Sequence, residues 1–576
     1  MKDKFLKHIK KNNKIYRVAI ALFVYLVLHI NGLIVQYNPM SWFLLIIIIM
    51  FYLKIDLYNK NYFRSSIIYS IVFSLLMTVG ANLYKVMYFD FTINTFISFL
   101  GFGIIFYTIL INLFPKLCEG NALDKNPTKK YKKIFLISLV IILICWIPYF
   151  LSLYPSAITN DSVGELSIVF DKFSHMSNHN PIIHVITIAI PYYIGNAIFH
   201  EPNISVACYS ITQMVIMASI FSYLVAFLAK KGIKNIYLVL CILFFAIVPM
   251  HGYYSVTMWK DIIFAGLMVL LTIQTIKVCD KYDRLRFRDL IPFIIISLLT
   301  ILYRNNAIYM YYVFAIFMLI FLNKKIKVVL LSVFIVIFSY HIITGPIFNY
   351  LHIWKSSSSE YLAIPLQQVG RMAYKDVKFT KSEKKILNNL MDIEKMKKAY
   401  NPILVDDIKF NDNYSNDYIA THQKEFFEVW AKLVVKHPII ATEAYSIQTL
   451  GYWYPGVSYW SVHSGVAPNS LGIKHIPKGP NLIRQYISYL ENRKTPFINM
   501  TWSTSLAYWV LAVFAFVCIR RKNKRYILAY VPVFGVWLTL MIAAPVYAEF
   551  RYIYSVYTCL PVLMLLPYFK NKDDKK

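Results

Sequence analysis

Asp161 and Glu165 fall with two histidines, His179 and His184, in one polar stretch, YPSAITNDSVGELSIVFDKFSHMSNHNPIIH at 154–184. Three further outcrops of charge sit at the ends of long apolar runs. They are Lys260 and Asp261 in MHGYYSVTMWKD, Arg304 and Asn305 in LYRNNAIY, and Glu549 and Arg551 in APVYAEFRYIY. A carboxylate can take the proton of an incoming hydroxyl, while guanidinium and ammonium groups neutralise charge building on a departing phosphate. Together these residue types suit a transfer reaction on a phosphate carried by a lipid, provided the chain gathers them on one face of a membrane.

The composition supplies the membrane. Hydrophobic residues make up 58% of the chain and aromatic ones 17%, arranged in many apolar runs of about 20 residues. That excludes one soluble core and predicts an all-α polytopic membrane protein. The formal charge of +31 resides mainly in short Lys and Arg clusters between apolar runs, as topology signals do, which excludes nucleic acid as the partner. The seven cysteines form no CxxC pair and have no histidines at zinc spacing, so neither a disulfide framework nor a structural metal is expected.

Topology follows from the clusters. The basic start MKDKFLKHIKKNNKIYR precedes apolar residues 18–35 and predicts an uncleaved anchor beginning in the cytoplasm. Spans are expected at 41–54, 65–85, 91–114 and 134–152, with basic loops at 54–64 and 116–133 inside and a weakly charged connection at 36–39 outside. Asp161 is then delivered to the outer side. Hydropathy alone makes 181–199 another span. If it crossed, the basic clusters at Lys230, Lys231 and Lys234, at 277–288, at Lys324, Lys325 and Lys327, and at 520–525 would all lie outside. Lying in the plane of the outer surface, broken by Pro191 and Gly195, it returns them and the tail KNKDDKK to the cytoplasm. A short amphipathic helix at 162–173 accompanies it.

About fourteen crossings result, with both ends inside. The chain divides into an N-terminal membrane segment at 1–133, a catalytic module at 134–345 with its acidic outer loop at 153–180, an extracellular mixed or helical domain at 346–503, and C-terminal membrane helices at 504–576. The outer domain carries amphipathic helical patterns at 382–398 and 423–436 and an aromatic cluster, GYWYPGVSYW, at 451–460.

Each candidate has a plainer reading. Asp161 and Ser162 can start a helix, since Ser162-x-x-Glu165 matches a capping box. His179 and His184 can be interfacial residues, and Lys260, Arg304 and Arg551 can snorkel, although positive charge outside runs against the usual bias. Trp453, Tyr454 and Trp460 suit packing, and Gly101 and Gly103 lie inside a span as a packing feature.

The ordered set resembles the GT-C superfamily of membrane glycosyltransferases, such as protein O-mannosyltransferases and aminoarabinose transferases. The matching pieces are Ile158-Thr159-Asn160-Asp161-Ser162, the His179-Asn180-Pro181 that opens the in-plane helix, Lys260-Asp261, Tyr303-Arg304-Asn305-Asn306, IPLQQVGR at 364–371, and Arg551-Tyr552. Many members carry two prolines after the histidine, whereas this chain has Asn180 before Pro181.

The resemblance implies a bacterial cell-membrane enzyme with its active site outside. It would move a sugar, with inversion, from a polyprenyl-phosphate donor to an acceptor that is an envelope glycan or glycopolymer. Asp161 would be the base. Lys260, Asp261, Arg304, Asn305 and Arg551 would bind the phosphate and orient its neighbours, with Glu165, His179, His184 and Glu549 as further candidates. The in-plane helices and the aromatic cluster would bracket the prenyl chain and the sugar. No cofactor is required, and a divalent cation is left open. A transporter or flippase of lipid-linked glycans, or a ligase using them, stands as the alternative.

Overall fold

The structure, a computed structural model, describes residues 14–34, 39–128, 130–174, 176–354, 361–459, 465–491 and 501–570. The first thirteen residues of the basic start, most of the connection at 36–39, Trp460 and the tail from 571 onward lie outside the described residues. Among the described residues the chain is helical, with isolated bridges in place of strands. Hydroxyls inside the apolar helices bond one turn back, as Thr272 does to Met268 O and Thr275 to Leu271 O, both at 2.8 Å. This satisfies them where no water reaches.

The protein is a polytopic helical membrane protein. Nine helices among the described residues are long and apolar enough to cross a membrane, or ten if Asn235–Ile247 and Pro249–Ser255, bent by 54°, form one span. The fourteen or so crossings expected are matched only in part by helix length, because several apolar stretches make shorter helices. Stretches 41–54, 306–323 and 504–519 give Met40–Lys54, Ala307–Phe321 and Leu506–Arg520. Stretches 18–35 and 289–303 give Lys14–Ile30 and Phe287–Tyr303, each of 17 residues. A helix of that length reaches about 25 Å against a hydrocarbon core of about 30 Å, at the short end of what crosses a membrane.

Basic loops gather at one end of the bundle. Arg521 donates to Cys118 O, Gly120 O and Pro567 O, and Lys234 Nζ donates to Asn121 O at 2.7 Å. Lys231 pairs with Asp280, and Arg525 with Asp283. Helix Tyr131–Ser152 runs from this end to the other, where Ser210 Oγ donates to Pro155 O at 2.8 Å, and helix Pro202–Lys230 runs back. Helix Ile182–Phe199 lies between them in sequence without traversing the bundle. It begins beside Asn180, which reaches Asp161 O at 3.5 Å, and ends two residues before Glu201, the cap of the returning helix.

Its contacts agree with that course. A Cβ at Gly195 would lie 2.9 Å from Cys208 Sγ and 3.0 Å from Ser205 Cα, yet His184 Nε2 still meets Tyr209 OH at 3.0 Å. An antiparallel hairpin would carry His184 down to about the level of Met217.

The segment 346–503 is helical over most of its described length, with 465–480 in extended chain. Helices Ala363–Tyr374, Lys381–Leu390, Ile393–Ala399, Gln423–Lys436 and Pro438–Gln448 close around Leu366, Val369, Leu387, Leu390, Phe426 and Leu433, all fully buried. The single helix expected at 382–398 is broken at Asp392, whose carboxylate caps the second piece by accepting from Lys395 N at 3.1 Å. The pattern at 423–436 matches Gln423–Lys436, and the one at 162–173 becomes Asn160–Phe170, ended by positive φ at Lys172 and Phe173.

The described part of the aromatic cluster is packing. A Cβ at Gly80 would collide with the Tyr454 ring, Trp509 Nε1 donates to Trp453 O at 3.0 Å, and Trp537 Nε1 to Tyr452 O at 2.9 Å. The N-terminal helices are thereby tied in, with Phe73 stacked on Trp509 at 4.5 Å. Gly101 likewise leaves room only for Val27.

Candidate functional site

Three extended segments set the frame. Residue Ala157 pairs with Thr257, with Met258 N donating to Ala157 O at 3.0 Å, and Ile158 pairs with Val466, with Ala467 N donating to Ile158 O at 2.8 Å. This fixes the start of helix Asn160–Phe170 beside the start of helix Lys260–Asp280. The helix start itself is capped by Thr159 and Ser162. Thr159 N donates to Ser162 Oγ at 3.3 Å, Ser162 Oγ donates to Met258 O at 2.6 Å, and Trp259 Nε1 donates to Thr159 Oγ1 at 2.8 Å. The capping box read from Ser162 and Glu165 is therefore displaced by one that begins at Thr159. Asp161, in the first turn, is left to face outward, with 40% of its side chain exposed.

Arg551 Nη1 donates to Asp161 Oδ2 at 2.7 Å across 390 residues of sequence. The guanidinium sits 5.0 Å from the Trp259 ring and 5.2 Å from the Tyr552 ring, and its Nε is 3.8 Å from Glu549 Oε1. Arg304 lies on the same tyrosine, 5.1 Å from its ring, donates to Tyr552 O at 3.0 Å and stands 3.4 Å from Asp261 Oδ1. Lys260 Nζ donates to Asn180 Oδ1 at 3.0 Å. Cations held over aromatic faces keep their charge while losing water, which strengthens their pull on an anion.

The carboxylates differ in state. Burial alone would raise the Asp161 carboxyl, but Arg551, Lys260 and, more weakly, His179 outweigh it and hold it below the usual range, so Asp161 is ionised at neutral pH. Burial pushes Glu549 up to about 7; Arg551 opposes the rise, and the negative charges of Asp261 and Asp161 add to it. Both Asp261 oxygens, Glu549 Oε1 and Arg551 Nε are buried without a hydrogen bond from a described residue. Among the described residues, no three His, Cys, Asp or Glu side chains are grouped as a metal ion would need. All seven cysteines are free.

Glu165 and His184 lie beneath the cleft in a chain of their own. His184 Nδ1 is 2.8 Å from Glu165 Oε1, His184 Nε2 is 3.0 Å from Tyr209 OH, and Tyr209 OH is 2.6 Å from Gln213 Oε1. Gln213 Nε2 reaches the carbonyls of Tyr254, Ser255 and Thr257 at 3.2, 3.0 and 2.8 Å, which fixes its amide with Oε1 toward Tyr209. Tyr209 must then donate to Gln213 and accept from His184 Nε2–H, so a second proton is shared between His184 Nδ1 and Glu165. The relay joins the helix of Asp161 to the turn that precedes Lys260. Tyr209→Phe leaves His184 Nε2–H and Gln213 Oε1 unpaired in the interior, and a stability loss of about 2 kcal/mol is expected in denaturant unfolding of the purified protein.

Six of the residues singled out from sequence thus meet in one cleft: Asp161, Lys260, Asp261, Arg304, Glu549 and Arg551. Asn305 stands further out, donating to Asn178 O at 2.7 Å and steadying the strap of 176–180, on which His179 is exposed. IPLQQVGR is not part of the site. Its Arg371 is buried against Glu443 at 2.7 Å, because that helix builds the core of the helical unit at 363–448. Trp259, Tyr209 and Gln213 were not singled out from sequence, and Asn180 and Tyr552 only as parts of motifs, although a Tyr and a Gln one turn apart in an apolar helix are a visible signal of a buried polar role.

The family described as "family of unknown function (DUF6020)" matches residues 168–576, a stretch that holds every cleft residue except Asp161. Neither the curated proteins nor the solved structures gave a match to this chain.

Proposed function

The chain belongs to the family of unknown function DUF6020, and we propose that it is a membrane glycosyltransferase. In this reading it moves a sugar from a polyprenyl-phosphate donor to a hydroxyl of an envelope glycopolymer at the outer face of a bacterial cell membrane. The observation that carries the reading is the meeting of an ionised, partly exposed carboxylate, Asp161, with Lys260, Arg304 and Arg551 at one end of the bundle.

The residues divide the work as follows. Asp161 takes the acceptor proton as the acceptor oxygen bonds to the anomeric carbon from the face opposite the phosphate. The bond from that carbon to the phosphate oxygen breaks, and the electron pair leaves with the polyprenyl phosphate. Arg551, Arg304 and Lys260 neutralise the charge that grows there, each worth about 100-fold or more in rate in a dry site. Asp261 keeps Arg304 aimed.

Sidedness supports the reading. The basic loops at the opposite end suit the cytoplasm, with both termini there. Helix Ile182–Phe199 begins and ends at the site's end, and it exposes Ile186, Ile190, Ile194 and Ile198 in a row of one residue per turn. Such a row suits a helix resting on the outer leaflet. The charged residues gather at the end of the bundle, whereas a transporter concentrates them near the midplane.

The test is release of free polyprenyl phosphate by the purified protein, given a panel of polyprenyl-phosphate sugars with envelope glycan acceptors. Release that requires both partners is expected. Intact donor across the panel, or translocation of donor without release, overturns the proposal.

A further inference from the structure

We propose that Arg551 restrains Asp161 until a donor binds, and that the donor's phosphate frees this carboxylate by taking over the same guanidinium, so the donor seats before the acceptor is activated. The inference rests on the transfer reading above and adds its order of events.

Of the three cations, only Arg551 is committed to the base. Lys260 is held by Asn180, and Arg304 by Tyr552 O and Asp261. The Arg551 Nη1 to Asp161 Oδ2 bond is 2.7 Å, the short contact of a charge-assisted pair. A carboxylate so engaged is a weaker base, since the guanidinium stabilises its charged form. The low-lying titration of Asp161, which Arg551 heads among the lowering influences, agrees with this.

The pair is built to open. Asp161 is 40% exposed while Arg551 is 16% exposed, so the carboxylate has somewhere to go and the guanidinium does not. Trp259 and Tyr552 hold Arg551 from its faces, at 5.0 and 5.2 Å. On its Nε edge, Glu549 Oε1 stands 3.8 Å away, and neither atom has a hydrogen bond from a described residue. Glu549 therefore keeps the cation seated when Asp161 leaves. A phosphate oxygen pair matches the guanidinium fork at least as well as one carboxylate oxygen does, so phosphate can win the exchange. An acceptor arriving first meets a base still paired.

The test is binding of a short isoprenyl monophosphate to the purified full-length protein in detergent. Asp161→Asn reduces the competitor from an ion pair to a neutral hydrogen bond, and about tenfold tighter binding than wild type is expected. In an Arg551→Gln background the same Asp161→Asn change should alter affinity by less than about twofold, because the two effects act through one guanidinium. Arg551→Lys provides the same comparison with the charge kept and the fork removed, should Arg551→Gln fail to fold.

Equal tightening in both backgrounds means ordinary charge repulsion and overturns the proposal. So does unchanged affinity in Asp161→Asn. Absence of binding in wild type and every folded variant overturns the transfer reading together with this inference, whereas binding without the Arg551-dependent gain removes this inference alone.

Discussion

Asp161→Asn should leave below about 1% of wild-type polyprenyl phosphate release, since loss of a positioned general base costs about 100-fold to 10,000-fold. The substitution separates chemistry from scaffolding cleanly at this position. The helix start is held by Thr159, Ser162 and Trp259, and none of those bonds uses the Asp161 side chain. Asn keeps the shape and still accepts from Arg551. What it loses structurally is a charge near a helix N-terminus and an ion pair on a partly exposed side chain, each worth about 1 kcal/mol or less. Activity should therefore collapse while the unfolding midpoint barely moves. Release at more than about a tenth of the wild-type rate removes Asp161 as the base.

Arg371→Ala should have the largest effect on stability, about 3–5 kcal/mol. Arg371 Nε and Nη2 donate to Glu443 Oε2 at 3.1 and 2.7 Å, Nη2 also donates to Met87 O at 2.6 Å, and Phe89 N donates to Glu443 Oε1 at 3.0 Å. This buried knot ties two helices of the outer unit to the turn between the membrane helices Phe63–Val86 and Ile93–Glu119. Removing the arginine leaves Glu443 charged in the interior and Met87 O with one donor fewer. Lysine does not repair it, because one ammonium cannot serve the carboxylate and the carbonyl in the same fork. Replacing both partners, Arg371→Met with Glu443→Leu, should recover part of the loss, since no charge is then stranded. The measurement is denaturant unfolding, together with proteolysis around 87–90. A change under about 0.5 kcal/mol for Arg371→Ala sinks the assignment.

The cleft was legible in sequence through sidedness. Once the basic loops are placed on one side, Lys260, Arg304 and Arg551 stand out as cations on the wrong one, and Asp161 lies with them. What they do to one another was not legible. The Arg551 partner is 390 positions away, and Lys260 and Asp261, adjacent in sequence, serve different neighbours, Asn180 and Arg304. The capping box was misplaced by one turn because Ser162 satisfies the same short pattern whether it begins the box or closes it. The number of crossings was legible only coarsely, because hydropathy registers the apolarity of a segment such as 306–323, whereas the helix that forms there begins at Ala307 and stops at Phe321. The arginine of IPLQQVGR looked available only because Glu443, its partner, belongs to another helix of the outer unit.

Gln213 fastens three carbonyls of the turn before Lys260, those of Tyr254, Ser255 and Thr257, with a single amide nitrogen. That wall has no slack, so it cannot act as a hinge. The facing strap is moored more lightly, through the Trp354 backbone to Met176 and Asn178, through Asn305, and through Lys260 itself. Any widening of the cleft is therefore expected on the strap's side.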